Sequence, residues 1–198
     1  MSPAPSENAH SVSRAVNLDI LEPKFAAALQ QAWCREACWP GCVGGYPVNR
    51  DDNPSYGNCL VSALAAYAAR GMRDELIPAK VDESAWHFRL GLVDSVQVDT
   101  TWQQFEKGSV FRALTPGTEE YSEVMKGSLV DDQSLVPRLG VIIDRMKSLA
   151  GVELGYTAEQ IVESVCTRYE HVLGRDTAPQ PAVKPFAPNE LGPASLKL

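Results

Sequence analysis

The chain has 198 residues, 44% of them apolar, and 18 basic against 25 acidic side chains leave a net charge of −7. That length suits one domain with a real core and is short for two. With no basic cluster beyond isolated pairs and no apolar run near the ~18 residues of a membrane span, nucleic acid and membranes are excluded as expected partners.

Residues 1–17 are rich in Ser, Pro, Ala and Asn and show no apolar period, so they read as a disordered arm. They also lack the basic and apolar stretches of a secretory signal, which predicts a cytoplasmic protein. Cys34, Cys38, Cys42, Cys59 and Cys166 make an odd set, and in that setting free thiols are expected rather than a disulfide framework.

Phe25, Leu29, Trp33 and Ala37 recur at helical spacing behind Pro23, which suits a first helical turn; the spacing predicts one helix running as far as Cys38. A loop rich in Gly and Pro follows, from Trp39 to Gly57. A second helix spans about 58–70, with Asn58 as its cap, Leu60, Leu64 and Tyr67 on one face, and Gly71 as its left-handed stop.

Trp86, Phe88, Leu90 and Leu92 alternate with His87, Arg89 and Gly91, and "VQVDT" returns after a turn near Asp94, which is the pattern of a hairpin. Trp86 is thereby expected in the core. A tight two-residue turn would send His87 and Asp99 to opposite faces. A wider, odd-numbered loop over Gly91–Ser95 would set residue 90 against 96 and His87 directly across from Asp99. The wider loop is expected.

After Gly108 the chain reads as loops with a short strand, then a helix around "VPRLGVIIDRMKSLAG". Another follows around "TAEQIVESVCTRYEHVLG", where Thr157 and Gln160 suit a capping box. Helices first, a hairpin next and helices last define an α+β domain over 18–174, before a Pro-rich extended tail at 175–198.

Cys59 begins the second helix, where unpaired backbone N–H groups and the positive dipole end favour thiolate and can hold an oxyanion. A nucleophile also needs a base, and the base needs a carboxylate to fix its tautomer; His87 and Asp99 supply both from one hairpin. Asn58 is a candidate oxyanion contact, and Trp39 a candidate lining of an acyl pocket.

The segments "LQQAW", "NPSYGNCLVSALA" and "WHFRLGLVDSVQVDTTWQQF" resemble the YunG-like family over about residues 20–145. The family's cysteine falls on Cys59, its histidine on His87, its aspartate on Asp99, and its Gln-Phe pair on Gln104-Phe105. Asn58 stands where the family pattern has Gln, and "LVSAL" replaces "AVTAL". The resemblance implies a papain-like or transglutaminase-like core, with helices packed on a small antiparallel sheet and additional C-terminal helices.

Together these features predict a cysteine-nucleophile acyl-transfer enzyme with Cys59, His87 and Asp99 as its triad, working through an acyl-thioester. The substrate class is a small-molecule, peptide or carrier-bound acyl group, with no cofactor and no metal. A non-catalytic module keeping the same shell is the alternative. Less favoured is a metal or redox protein built on Cys34, Cys38 and Cys42, for no second metal-binding knuckle follows them. Asp51 or Asp52 is a further candidate for contact with a substrate amine. His10, His171 and Cys166 read as two solvated side chains and a packing thiol.

Overall fold

A computed structural model describes residues 21–45, 53–92, 96–105 and 109–173. The arm, the tail, Asp51, Asp52, His10 and the turn around Asp94 lie outside the described residues. Among the described residues six α-helices, α1 (Pro23–Ala32), α2 (Cys59–Ala69), α3 (Glu119–Leu129), α4 (Leu135–Ala150), α5 (Ala158–Arg168) and α6 (Glu170–Leu173), accompany a four-stranded antiparallel sheet. Its strands β1 (Glu75–Val81), β2 (Ala85–Gly91), β3 (Gln97–Val98) and β4 (Phe111–Ala113) stand in the order β3-β2-β1-β4. The architecture is therefore mixed α and β, with a small sheet and several helices.

Alternation along the strands gives the sheet two different faces. Leu76, Phe88, Leu90 and Val98 join the main core with α1, α2, α4 and α5. His87 and Arg89, one residue out of step with Phe88 and Leu90, are buried on the other face beside Phe111. α2 packs on β2 and is buried along its length from Leu60 to Ala68, so its small side chains let sheet and helices approach closely.

Four expectations need correction. The first helix stops at Ala32: Trp33 leaves helical geometry and Cys34 is fully extended (φ −160°, ψ 168°) before a short 3-10 turn at Arg35–Ala37. The Trp33 indole donates to the buried Ser62 hydroxyl at 2.9 Å, and Arg145 of α4 donates to the Ala32 carbonyl at 2.9 Å. Both contacts fix the end of the helix, so Cys34 and Cys38 share no continuous helical face.

Trp86 is 44% exposed rather than core, since it lies at the start of β2 beside the β1–β2 turn, with Lys80 over its ring. The final helix divides at Tyr169 into α5 and α6. The hairpin keeps an odd-numbered connection, but Leu90 pairs with Val98 and Gly91 with Gln97. Leu92 N–H donating to the Val96 carbonyl at 2.7 Å carries the ladder closer to the turn than a Gly91–Ser95 loop permits.

Other features match. Pro23 opens α1, α2 spans the expected residues, and Gly71 stops it at φ +73°. The capping box of Thr157 and Gln160 forms, and a short strand follows Gly108. β1 and α3 went unread in the sequence. β1 joins β2 through Asp82 and Glu83, both left-handed, a turn usually signalled by Gly or Asn.

Candidate active site

Cys59 opens α2 and is half-buried. The turn before it is built tightly: Gly57 sits at φ +69°, and a side chain there would meet Cys38 Sγ at 2.4 Å and Cys42 Cβ at 2.9 Å. Trp39 N–H donates to the Gly57 carbonyl at 2.9 Å, locking the loop of the cysteines onto this turn. Burial raises the Cys38 thiol to about 12 and also raises Cys42, so neither is a ready thiolate.

His87 is completely buried. Its Nε2 lies 2.8 Å from Asp99 Oδ2, and Cys59 is close enough to the ring to act on its basicity. Phe105 and Phe111 pack against the imidazole, with centroids at 4.8 and 5.6 Å. Burial alone would lower its basicity; the carboxylate of Asp99, with Cys59, outweighs that and raises it to about 9.

Asp99 is fully buried and well supplied with donors: His87, the Thr101 N–H at 3.0 Å, and Arg89 Nε at 3.3 Å. Desolvation favours its neutral form, but these partners hold the carboxyl below its ordinary value. In the observed register Asp99 continues β3 opposite Arg89 and diagonal to His87, so the imidazole reaches one position along the ladder. The pair survives the shifted register because a slip of two residues preserves the face.

Gln104 completes the surroundings. Its Oε1 accepts the Gly57 N–H at 3.2 Å, while its Nε2 lies 3.0 Å from His87 Nδ1 and 2.9 Å from Thr101 Oγ1. One side chain thus ties the turn before Cys59 to the imidazole. Arg89 and Gln104 were read in the sequence only as a polar strand position and a motif residue. Arg89 carries a usable signal, two residues from His87 on the same strand face.

Asn58 is fully buried at the cap position of α2, yet its side chain makes no cap bond. Its Nδ2 donates to the Tyr56 carbonyl at 3.0 Å, and its Oδ1 is buried with no partner among the described residues. Trp39 is 51% exposed, its ring lying against Gly41. Cys166 is buried, with its thiol directed at the Leu129 carbonyl, and His171 is exposed. No group of three or more His, Cys, Asp or Glu side chains among the described residues is arranged to hold a metal.

The described residues therefore define an α+β protein in which a helix-start cysteine stands beside a buried histidine–aspartate pair. The profile described as YunG protein matches residues 22–131, more than half the chain and all three of these side chains, and the chain belongs to that family. No curated protein and no solved structure matches it. No helix among the described residues is long and apolar enough to cross a membrane.

Proposed function

We propose that this protein is a cysteine-nucleophile acyl-transfer enzyme built on a papain-like or transglutaminase-like core, with Cys59, His87 and Asp99 as its triad. The observation that carries this reading is the fully buried His87–Asp99 contact of 2.8 Å with the half-buried Cys59 thiol close to the same imidazole. A buried imidazole oriented by a carboxylate, next to a helix-start thiol, is the arrangement that suits a proton-accepting base.

In the proposed reaction the Cys59 proton passes to Nδ1 of His87, the ring nitrogen not held by Asp99, and sulfur attacks a carbonyl carbon. The carbonyl oxygen becomes an oxyanion met by the Cys59 backbone N–H, which lies in the first turn of α2 and lacks an intrahelical acceptor. Collapse of the tetrahedral species expels an amine or thiol that takes the proton from His87, leaving an acyl-thioester. Water or a second amine, deprotonated by His87, then releases the acyl group and restores the thiol. Asp99 holds the imidazole by its other nitrogen throughout.

The substrate is a small-molecule, peptide or carrier-bound acyl compound. Asn58 reaches the oxyanion only if its Nδ2 leaves the Tyr56 carbonyl, so the backbone N–H is the principal donor. Trp39, anchored by its own N–H to Gly57 in the turn before the nucleophile, is an exposed aromatic side chain for the acyl chain to pack on. The non-catalytic alternative entails a sealed or misaligned Cys59 and a histidine without its carboxylate. A half-buried thiol beside a paired imidazole favours the enzyme.

The test is alkylation by iodoacetamide across pH, followed site by site by mass spectrometry. Cys59 is expected to react selectively, ahead of Cys38 and Cys42, at neutral pH. His87→Ala is expected to slow that reaction at neutral pH by at least about tenfold. Equal, sluggish reaction of Cys42 and Cys59 in both proteins would refute the proposal.

A further inference from the structure

We infer that Gln104 is a proton gate: its side-chain amide, fixed as a donor to His87 Nδ1, must turn over before the imidazole can accept the Cys59 proton. The inference rests on the triad reading above and assigns that site a positioning residue.

The orientation of the amide follows from its partners. Gly57 N–H is only a donor, so the Gln104 atom facing it at 3.2 Å must be Oε1. The other end is then the NH₂ group, with two N–H bonds to give. One is 2.9 Å from Thr101 Oγ1 and the other 3.0 Å from His87 Nδ1. Because His87 Nε2 lies against the Asp99 carboxylate, the single hydrogen of the neutral ring belongs there, and in that form Nδ1 carries a lone pair that faces the Gln104 NH₂.

Protonation at Nδ1 reverses this arrangement. An Nδ1–H facing the Gln104 NH₂ places two donors against each other, which removes a hydrogen bond and adds repulsion beside a buried charge. Rotating the amide by 180° turns Oε1 toward Nδ1–H and supports the imidazolium. The same rotation brings NH₂ against Gly57 N–H and so releases that backbone donor in the turn two residues before Cys59. Gln104 therefore has two states that differ in the protonation of His87. The observed orientation suits a neutral ring beside a thiol, and the rotated one suits the imidazolium that the raised basicity of His87 favours.

The other groups around the ring do not switch. Asp99, with Arg89 behind it, stays ionised on the Nε2 side, and Phe105 and Phe111 offer only apolar surface. The remaining ionisable neighbours are Cys59 itself and, beyond Gly57, Cys38 and Cys42, whose thiols burial keeps protonated.

The test reads His87 directly, by ring ¹⁵N NMR in the Cys59→Ser protein, so that it does not depend on thiol reactivity. In that protein, neutral His87 is expected as the Nε2–H tautomer. Gln104→Met, which removes the donor and adds no charge, is expected to raise the His87 titration midpoint by about half a unit to one unit. Gln104→Glu, which supplies an acceptor, is expected to raise it further. A supporting or merely structural glutamine gives a lowered or unchanged midpoint in Gln104→Met, and either result, or the Nδ1–H tautomer, overturns the gate. If Gln104→Met fails to fold, the tautomer and the Gln104→Glu midpoint decide. Ordinary alkylation kinetics at Cys59 alongside a raised midpoint would refute the enzyme while leaving the gate intact.

Discussion

Asp99 Oδ2 receives both His87 at 2.8 Å and Arg89 at 3.3 Å, so a single buried oxygen serves two cationic side chains. Arg89 is itself buried, stacked 3.9 Å above the Phe111 ring, and it keeps Asp99 ionised when His87 is neutral. The consequence for stability has a definite sign. His87 is raised in the folded state to about 9, so its contribution is complete below its unfolded value near 6.5 and is lost as pH climbs through 9. Asp99 is lowered, so its contribution is present above its unfolded value of about 4 and lost as pH falls. Urea unfolding is expected to weaken by up to about 3 kcal/mol between pH 6.5 and 10. Asp99→Asn should be less stable at neutral pH and nearly flat across the same window. A wild-type curve equally flat would contradict the ion pair.

Elements succeed or fail here according to whether their signals are local. α2 was legible because Gly71 and the run of small and apolar side chains mark it without outside help, and the Thr157–Gln160 capping box marks α5 in the same way. Thr157→Ala is expected to cost about 1 kcal/mol in thermal or urea unfolding, leaving Cys59 labelling unchanged. β1 was illegible because Asp82-Glu83 lacks the residues usual in such a turn, and because Pro78 argues against an inner strand. Pro78 is tolerated because β4 pairs only with Ala79–Val81, and its carbonyl accepts the Leu114 N–H at 2.9 Å. The end of α1 depends on Ser62 and Arg145, 29 and 113 residues from their partners, which no window on the sequence contains. The hairpin's face was legible, its register was not, and the candidate triad needed only the face. Gly57 is the element-scale weak point. Gly57→Ala forces a side chain into left-handed backbone and against Cys38 Sγ, an expected loss of about 2–4 kcal/mol with the site distorted.

At the scale of the whole molecule, the family match ends at residue 131 but the core does not. Leu135, Leu139, Ile142 and Met146 of α4 are fully or nearly fully buried with α1 and α2, and Ile161 and Val165 of α5 join the same core. Arg138, paired with Asp132, donates to the Ala37 carbonyl, and Tyr169 binds the backbone of Leu76 at the start of β1. A fragment of residues 22–131 is therefore expected to lack cooperative unfolding by circular dichroism, because deleting α4 and α5 uncovers the faces of α1 and α2. An independently folded fragment would separate the site's scaffold from the C-terminal helices.

In the proposed reaction Cys59 forms an acyl-thioester with His87 as its proton acceptor. Intact-protein mass spectrometry after exposure to a panel of activated acyl esters and thioesters tests this most directly. One acyl group is expected on Cys59 in the wild type, removed by hydroxylamine, absent in Cys59→Ser and formed far more slowly in His87→Ala. Acylation spread evenly over Cys42 and Cys59, or formed at the same rate without the imidazole, would contradict it.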